Sequence, residues 1–86
     1  IPPPILNPLF DATNSAKITI SGTASSNETI SLYINNQVVD KTETKKNGTF
    51  VFENVLLEKG ENIVKAKAAT ENKNESDFSN SYTVLF

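Results

Sequence analysis

Apolar residues in this chain recur at every second position, in short runs, and no segment keeps the spacing of an amphipathic helix. Ile18 and Ile20 alternate with Lys17, Thr19 and Ser21, and Ile30, Leu32 and Ile34 with Thr29, Ser31 and Tyr33. Phe50 and Phe52 alternate with Thr49, Val51 and Glu53. Val64, Ala66 and Ala68 alternate with Ile63, Lys65 and Lys67, and Tyr82, Val84 and Phe86 with Thr83 and Leu85. A strand sends successive side chains to opposite faces, so each run reads as a strand with one buried and one solvated face.

Turn signals separate the runs. Ser25-Ser26-Asn27 divides two of them, and Asn35-Asn36 marks a tight turn before Val38-Val39. Asn47-Gly48 after Lys45-Lys46 predicts a hairpin, because both residues tolerate positive φ. Lys59-Gly60 breaks the chain before Ile63, and residues 71–77 form a polar loop. The spacing predicts strands near 4–10, 16–24, 28–35, 37–44, 48–55, 61–70 and 78–86. About seven short antiparallel strands in a chain of this size imply an all-β, two-sheet antiparallel sandwich. The expected core is Ile18, Ile20, Ile30, Leu32, Ile34, Phe50, Phe52, Leu57, Val64, Ala66, Ala68, Tyr82 and Val84. The prolines of the first strand and the lysines of 41–46 suit sheet edges, where they block pairing with other molecules.

Eighty-six residues make a single domain, 1–86, with residues 1–4 as a Pro-rich linker or the start of an edge strand. The chain has no Arg, His, Cys, Met or Trp. Disulfides, thiolate nucleophiles, Cys/His metal sites, a histidine base and an Arg clamp on phosphate are therefore excluded. No apolar run approaches the ~18 residues needed to cross a bilayer. A net charge of −2 with scattered lysines argues against nucleic acid and anionic membrane as partners. Eleven Asn, nine Thr and eight Ser give a polar, weakly charged surface, which suits an extracellular or cell-surface protein. The sequons at Asn27, Asn47 and Asn74 would matter only in a eukaryotic secretory pathway. The opening Ile1-Pro2-Pro3-Pro4 and a last strand running to Phe86 predict a piece of a longer protein.

Several short motifs follow in a set order: Ser21-Gly22-Thr23-Ala24, then Thr29-Ile30-Ser31-Leu32-Tyr33-Ile34-Asn35, then Asn47-Gly48-Thr49-Phe50-Val51-Phe52. Leu57-Glu58-Lys59-Gly60-Glu61-Asn62-Ile63-Val64 comes next, before Ala66-Lys67-Ala68 and Asn74-Glu75-Ser76. From about Ile18 to Phe86 this order resembles the bacterial Ig-like domains of surface and secreted proteins. It is also similar to the glucodextranase B-type accessory domains of polysaccharide-degrading enzymes. The resemblance implies an immunoglobulin/fibronectin-III-like sandwich in which these motifs have structural roles. Gly22 would permit a close approach at a strand end. Gly48 would supply positive φ, Leu57 would point inward, and the Asn62 amide would tie the loop turned by Gly60. The family's G-N-x-S turn lacks its Gly here, since the chain reads Asn72-Lys73-Asn74-Glu75-Ser76.

No residue is assigned a catalytic, cofactor-binding or metal-binding role, and no cofactor is expected. Glu71, Glu75, Asp77 and Asp11 could supply calcium oxygens, but no D-x-D-x-D-G pattern accompanies them, and a solvated loop is the plainer reading. An isopeptide set would need Lys17, Asn80 and Glu53 together, whereas Lys17, Lys65 and Lys67 all alternate outward. Tyr33 points outward and stands alone, with Phe10 and Phe78 as core or interface residues, so no sugar platform is expected. Paired carboxylates would need a cleft, for which a small sandwich has no room. The expected function is a non-catalytic spacer or stalk repeat of a bacterial extracellular or cell-surface protein. Such a module is monomeric when isolated, does not insert into a membrane, and has neighbouring domains of the same chain as partners. The alternative is an adhesin, or an accessory module attached to a carbohydrate-active enzyme, that binds a glycan or protein through loops 24–28, 45–48 and 71–77.

Overall fold

Among the described residues the chain forms seven strands: β1 (Ile5–Leu6), β2 (Lys17–Thr23), β3 (Thr29–Ile34), β4 (Gln37–Glu43), β5 (Thr49–Leu56), β6 (Glu61–Ala69) and β7 (Tyr82–Leu85). The computed structural model describes residues 2–72 and 74–86. Ile1 of the Pro-rich segment and Lys73 of the 71–77 loop lie outside the described residues. One sheet has three strands in the order β1-β2-β5, the other four in the order β4-β3-β6-β7, and every strand pair is antiparallel. The two apolar faces meet in a core built on Phe50, Phe52, Leu32, Ile20, Ile30, Val64 and Val84, all essentially without solvent exposure. The expected core is buried throughout except for Ile18 and Tyr82, which are half-buried at its margin.

Two corrections concern the core and one the turns. Val55 is buried although the period-two pattern points it outward. Between Ile18 and Ile20 the register of β5 moves from Val55 to Phe52, and Asn54 takes the left-handed conformation (φ 56°). This bulge adds one residue to β5 and returns Val55 to the inner face. Leu6 is also buried, carried inward by a two-residue strand within the Pro-rich region that has no alternation of its own. Asn47-Gly48 does not close a hairpin, because β4 and β5 belong to different sheets. Its turn carries the chain across the sandwich. Gly48 still supplies positive φ (82°), and its N–H donates to the Lys45 carbonyl at 2.8 Å. The Asn35-Asn36 turn does close a hairpin, with both residues at positive φ (53° and 67°), as the two-residue loop of a right-twisted pair requires.

The first and last strands are much shorter than the spacing 4–10 and 78–86 predicts. After Asn7 the chain leaves β2 and crosses to the other sheet, where Ala12 forms a parallel bridge with Leu85. Pro8, which follows Asn7, has no N–H to continue the β2 ladder. Before β7, side chains take over from the backbone. Ala66 N–H donates to Ser79 Oγ and Ala68 N–H to Ser76 Oγ, both at 2.9 Å. Ser79 and Ser76 N–H return bonds to the carbonyls of Ala66 and Ala68 at 2.8 Å. Each serine thus imitates a ladder pair along β6 while residues 75–81 run as an irregular edge.

β1 pairs with Gly22 and Thr23 at one end of the sandwich. Phe86 exchanges backbone bonds with Gly60 at the other. The chain therefore enters and leaves at opposite ends of a body 37 × 22 × 17 Å. Edge strand β4 is exposed along almost its whole length and carries Lys41, the protective arrangement expected of an edge.

Candidate functional site

Loops 24–28 and 44–48, with residues 70–72, gather at the N-terminal end of the sandwich, where β2 ends and β3 and β5 begin. Thr44 organises them. Its hydroxyl donates to the Ser25 carbonyl at 2.9 Å and accepts from Glu28 N–H at 3.0 Å. A cavity of about 120 Å³ there is lined by Asn27, Glu28, Thr29, Glu43 and Glu71. Glu28 is turned inward and is only 5% exposed. Its Oε1 has no hydrogen-bond partner among the described residues, and neither has Thr70 Oγ1. Register places the two residues side by side, since Thr29 pairs with Ala69. The sequence gives no hint of a buried Glu28.

The proposed calcium residues do not converge. Asp11 lies at the opposite end, where its carbonyl accepts from Leu85 N–H at 2.9 Å, while Glu71, Glu75 and Asp77 belong to the N-terminal end. Among the described residues no three His, Cys, Asp or Glu side chains are grouped to hold a metal ion. The isopeptide set is likewise dispersed. Asn80 holds β1, its Oδ1 accepting from Leu6 N–H at 2.9 Å and its Nδ2 donating to the Leu6 carbonyl at 3.2 Å. Lys17 pairs with Leu56 at the other end of β2 and is exposed, as is Glu53. Asn80 instead latches the first strand of one sheet to the irregular edge of the other.

Asn62 has the role expected of it. It is completely buried, and its Oδ1 accepts from Glu58 N–H at 2.8 Å. Its Nδ2 donates to the carbonyls of Glu58, Gly60 and Val84 at 2.9, 3.2 and 3.2 Å. One amide thus fixes the β5–β6 loop and joins it to β7. Gly22 also behaves as expected, because a Cβ there would meet the Ile5 carbonyl oxygen and approach the Phe50 ring to 2.6 Å.

Tyr33 does not stand alone. Phe78 reaches from the irregular edge across β6, and the two rings meet edge to face, 5.0 Å between centroids at 86°. Nζ of Lys65 and Nζ of Lys67 lie 4.0 and 4.3 Å from the centre of the Phe78 ring. The sequence conceals this cluster because Phe78 lies far from Tyr33 along the chain. Phe10 is exposed rather than in the core. It borders an apolar gap of about 350 Å³ that opens where the chain crosses from β2 to β7.

No protein-family model matches this chain, and no curated protein sequence does. Solved structures do. A biofilm-associated protein BSP domain superposes over 98% of this chain with a TM-score of 0.75 at 21% identity. This chain spans 14% of the length of that one. The fibronectin(III)-like modules of Clostridium thermocellum CbhA match over 90% of this chain and 83% of theirs, with a TM-score of 0.63 at 14% identity. The division into three- and four-stranded sheets and these two likenesses agree: the chain has the immunoglobulin/fibronectin(III)-like sandwich fold expected from its resemblance to bacterial Ig-like domains.

Proposed function

We infer that this domain is a non-catalytic spacer module of a bacterial extracellular or cell-surface protein, with neighbouring domains of the same chain as its partners. The observation that carries the reading is the placement of β1 and of Phe86 at opposite ends of a 37 Å body. Modules joined through such ends extend head to tail. A stalk then lengthens by about one long axis per copy, with little curvature where the linker is stiff. Pro2 and Pro3 are exposed, and Pro4 is buried against the domain. The link thus leaves the domain in a restricted direction. The likeness to a biofilm-associated BSP domain supports a surface setting, and a chain with no His, Cys or Arg supports a role without catalysis.

Small-angle scattering on tandems of one, two and three copies tests this reading. The maximum dimension is expected to grow by about 35 Å per copy, near the observed long axis. A tandem that folds back, with a maximum dimension nearly independent of copy number, would exclude a spacer.

A further inference from the structure

The outer face of the four-stranded sheet carries Lys41, Lys65 and Lys67, three of the eight lysines of the chain. Lys41, Ser31 and Lys67 form one row across β4, β3 and β6, and Val38, Tyr33 and Lys65 form the next. All of these alternate with inward-facing Ile30, Leu32, Ala66 and Ala68, so they share the outer face. Neither row contains a carboxylate. The nearest acid on β4 is Asp40, which pairs with inward-facing Leu32 between the two rows and accepts from Lys41 N–H at 2.8 Å; on β6 it is Glu61, opposite Leu85. The two rows themselves carry three lysines and one tyrosine, with the Phe78 ring laid against them.

The geometry of the cluster is specific. Phe78 is 38% exposed, and the ammonium groups of Lys65 and Lys67 are both drawn to its ring. Each contact is a cation–π attraction that keeps an ammonium group beside the ring. Tyr33 buttresses the ring from its edge. Packing alone could be served by any apolar residue on this face. Two ammonium groups gathered at one aromatic ring also offer an anionic ligand charged donors beside an apolar surface.

We propose that this face binds an acidic polysaccharide whose sugar rings carry carboxylate groups. The sugar's carboxylate accepts hydrogen bonds from Lys65 and Lys67, and its C–H face lies against the exposed part of the Phe78–Tyr33 pair. Lys41, two strands away in the same row as Lys67, receives the next carboxylate of an extended chain. Charge complementarity selects an anion, and exposed aromatic surface beside the ammonium groups selects a ring-bearing ligand over a plain carboxylate chain. The face lies on the side of the sandwich, away from the ends where modules would join. A stalk of such domains would thus repeat the site along its length and gain avidity from it.

The test is a titration of the isotope-labelled domain, followed by amide NMR shifts, with oligogalacturonate, a neutral glucan of equal length, and polyglutamate. Oligogalacturonate is expected to shift the amides around Tyr33, Lys65, Lys67 and Phe78. Its affinity is expected to fall about tenfold or more in the double variant Lys65→Gln/Lys67→Gln, where two charged hydrogen bonds are lost. Affinity should also fall as salt is raised. Both lysine substitutions are at the surface, and an unchanged melting temperature would show that the fold is kept. Phe78→Leu is expected to weaken binding while retaining most of the packing. No shifts at these amides, or equal affinity for the neutral glucan or in the double variant, would overturn the proposal. Equal affinity for polyglutamate would overturn it in favour of an acidic protein partner.

Discussion

Replacing Asn62 by Ala is expected to cost this domain a large share of its stability. The amide engages four backbone groups from a position with no solvent exposure, its two N–H shared among three carbonyls. A typical bond contributes about 0.5–1.5 kcal/mol net, and a buried donor left without a partner costs about 1–3 kcal/mol. The Val84 carbonyl is the group left buried in this way, and an acceptor without a partner is penalised as a donor is. The Glu58 N–H and the carbonyls of Glu58 and Gly60 lose less, because their bonds are only part-buried and they can turn to water. The expected loss is therefore about 3 kcal/mol, against the ~5–15 kcal/mol that holds an ordinary domain together. For a domain of this length ~1 kcal/mol moves the midpoint by ~4–8 °C, so thermal unfolding followed by circular dichroism should fall by about 12–24 °C. Asn62→Asp keeps the acceptor for Glu58 N–H but turns a second oxygen towards three carbonyls. At neutral pH it should be at least as damaging as alanine, with partial recovery in acid, where a protonated carboxyl can again donate. Asn14→Ala, at an exposed bend, is the control and should be nearly silent. If Asn62→Ala melted within a few degrees of that control, the reasoning that one amide organises this end of the sandwich would be refuted.

Other substitutions test other parts of the structure. Ser79→Ala leaves the buried Ala66 N–H without its acceptor and should cost about 1–3 kcal/mol in urea unfolding, with faster amide exchange at Ala66. Gly22→Ala drives a methyl into the Ile5 carbonyl and the Phe50 ring, and should cost about 1–3 kcal/mol and release β1, seen as lost protection of Leu6. Asn54→Val places a β-branched residue at φ 56° and should cost about 1–2 kcal/mol, whereas Asn54→Gly should be nearly neutral by the same melt. Glu28→Gln replaces a buried carboxylate that has an unpartnered oxygen, and should raise the midpoint rather than lower it.

The strands that read clearly in the sequence are those whose alternation is unbroken: Ile30 to Ile34 and Val64 to Ala68 lie as their pattern requires. Alternation fails where one residue is inserted, and Asn54 is such a residue. Its side chain and neighbours give no sign that Val55 will turn inward. The irregular edge before β7 was hidden for a different reason. Ser76, Ser79 and Asn80 read as loop residues, yet their side chains stand in for backbone partners that only the folded chain brings alongside. Asn62 was legible because its motif places an amide two residues after a turning glycine, within reach of that loop's own backbone. The Tyr33–Phe78 cluster was not, since it depends on a side chain crossing over β6. Local chemistry was thus readable, and contacts between distant segments were not.

The account rests on two apolar sheet faces closing on each other so that the chain enters at one end of the sandwich and leaves at the other. A domain with no cysteine makes the direct test simple. Spin labels on Pro3→Cys and Leu85→Cys, both exposed positions, report the separation by pulsed electron paramagnetic resonance. The structure predicts a single narrow distribution centred near about 30 Å, within the 37 Å long axis. A distribution centred below about 20 Å, or one as broad as that of an unfolded chain, would contradict it.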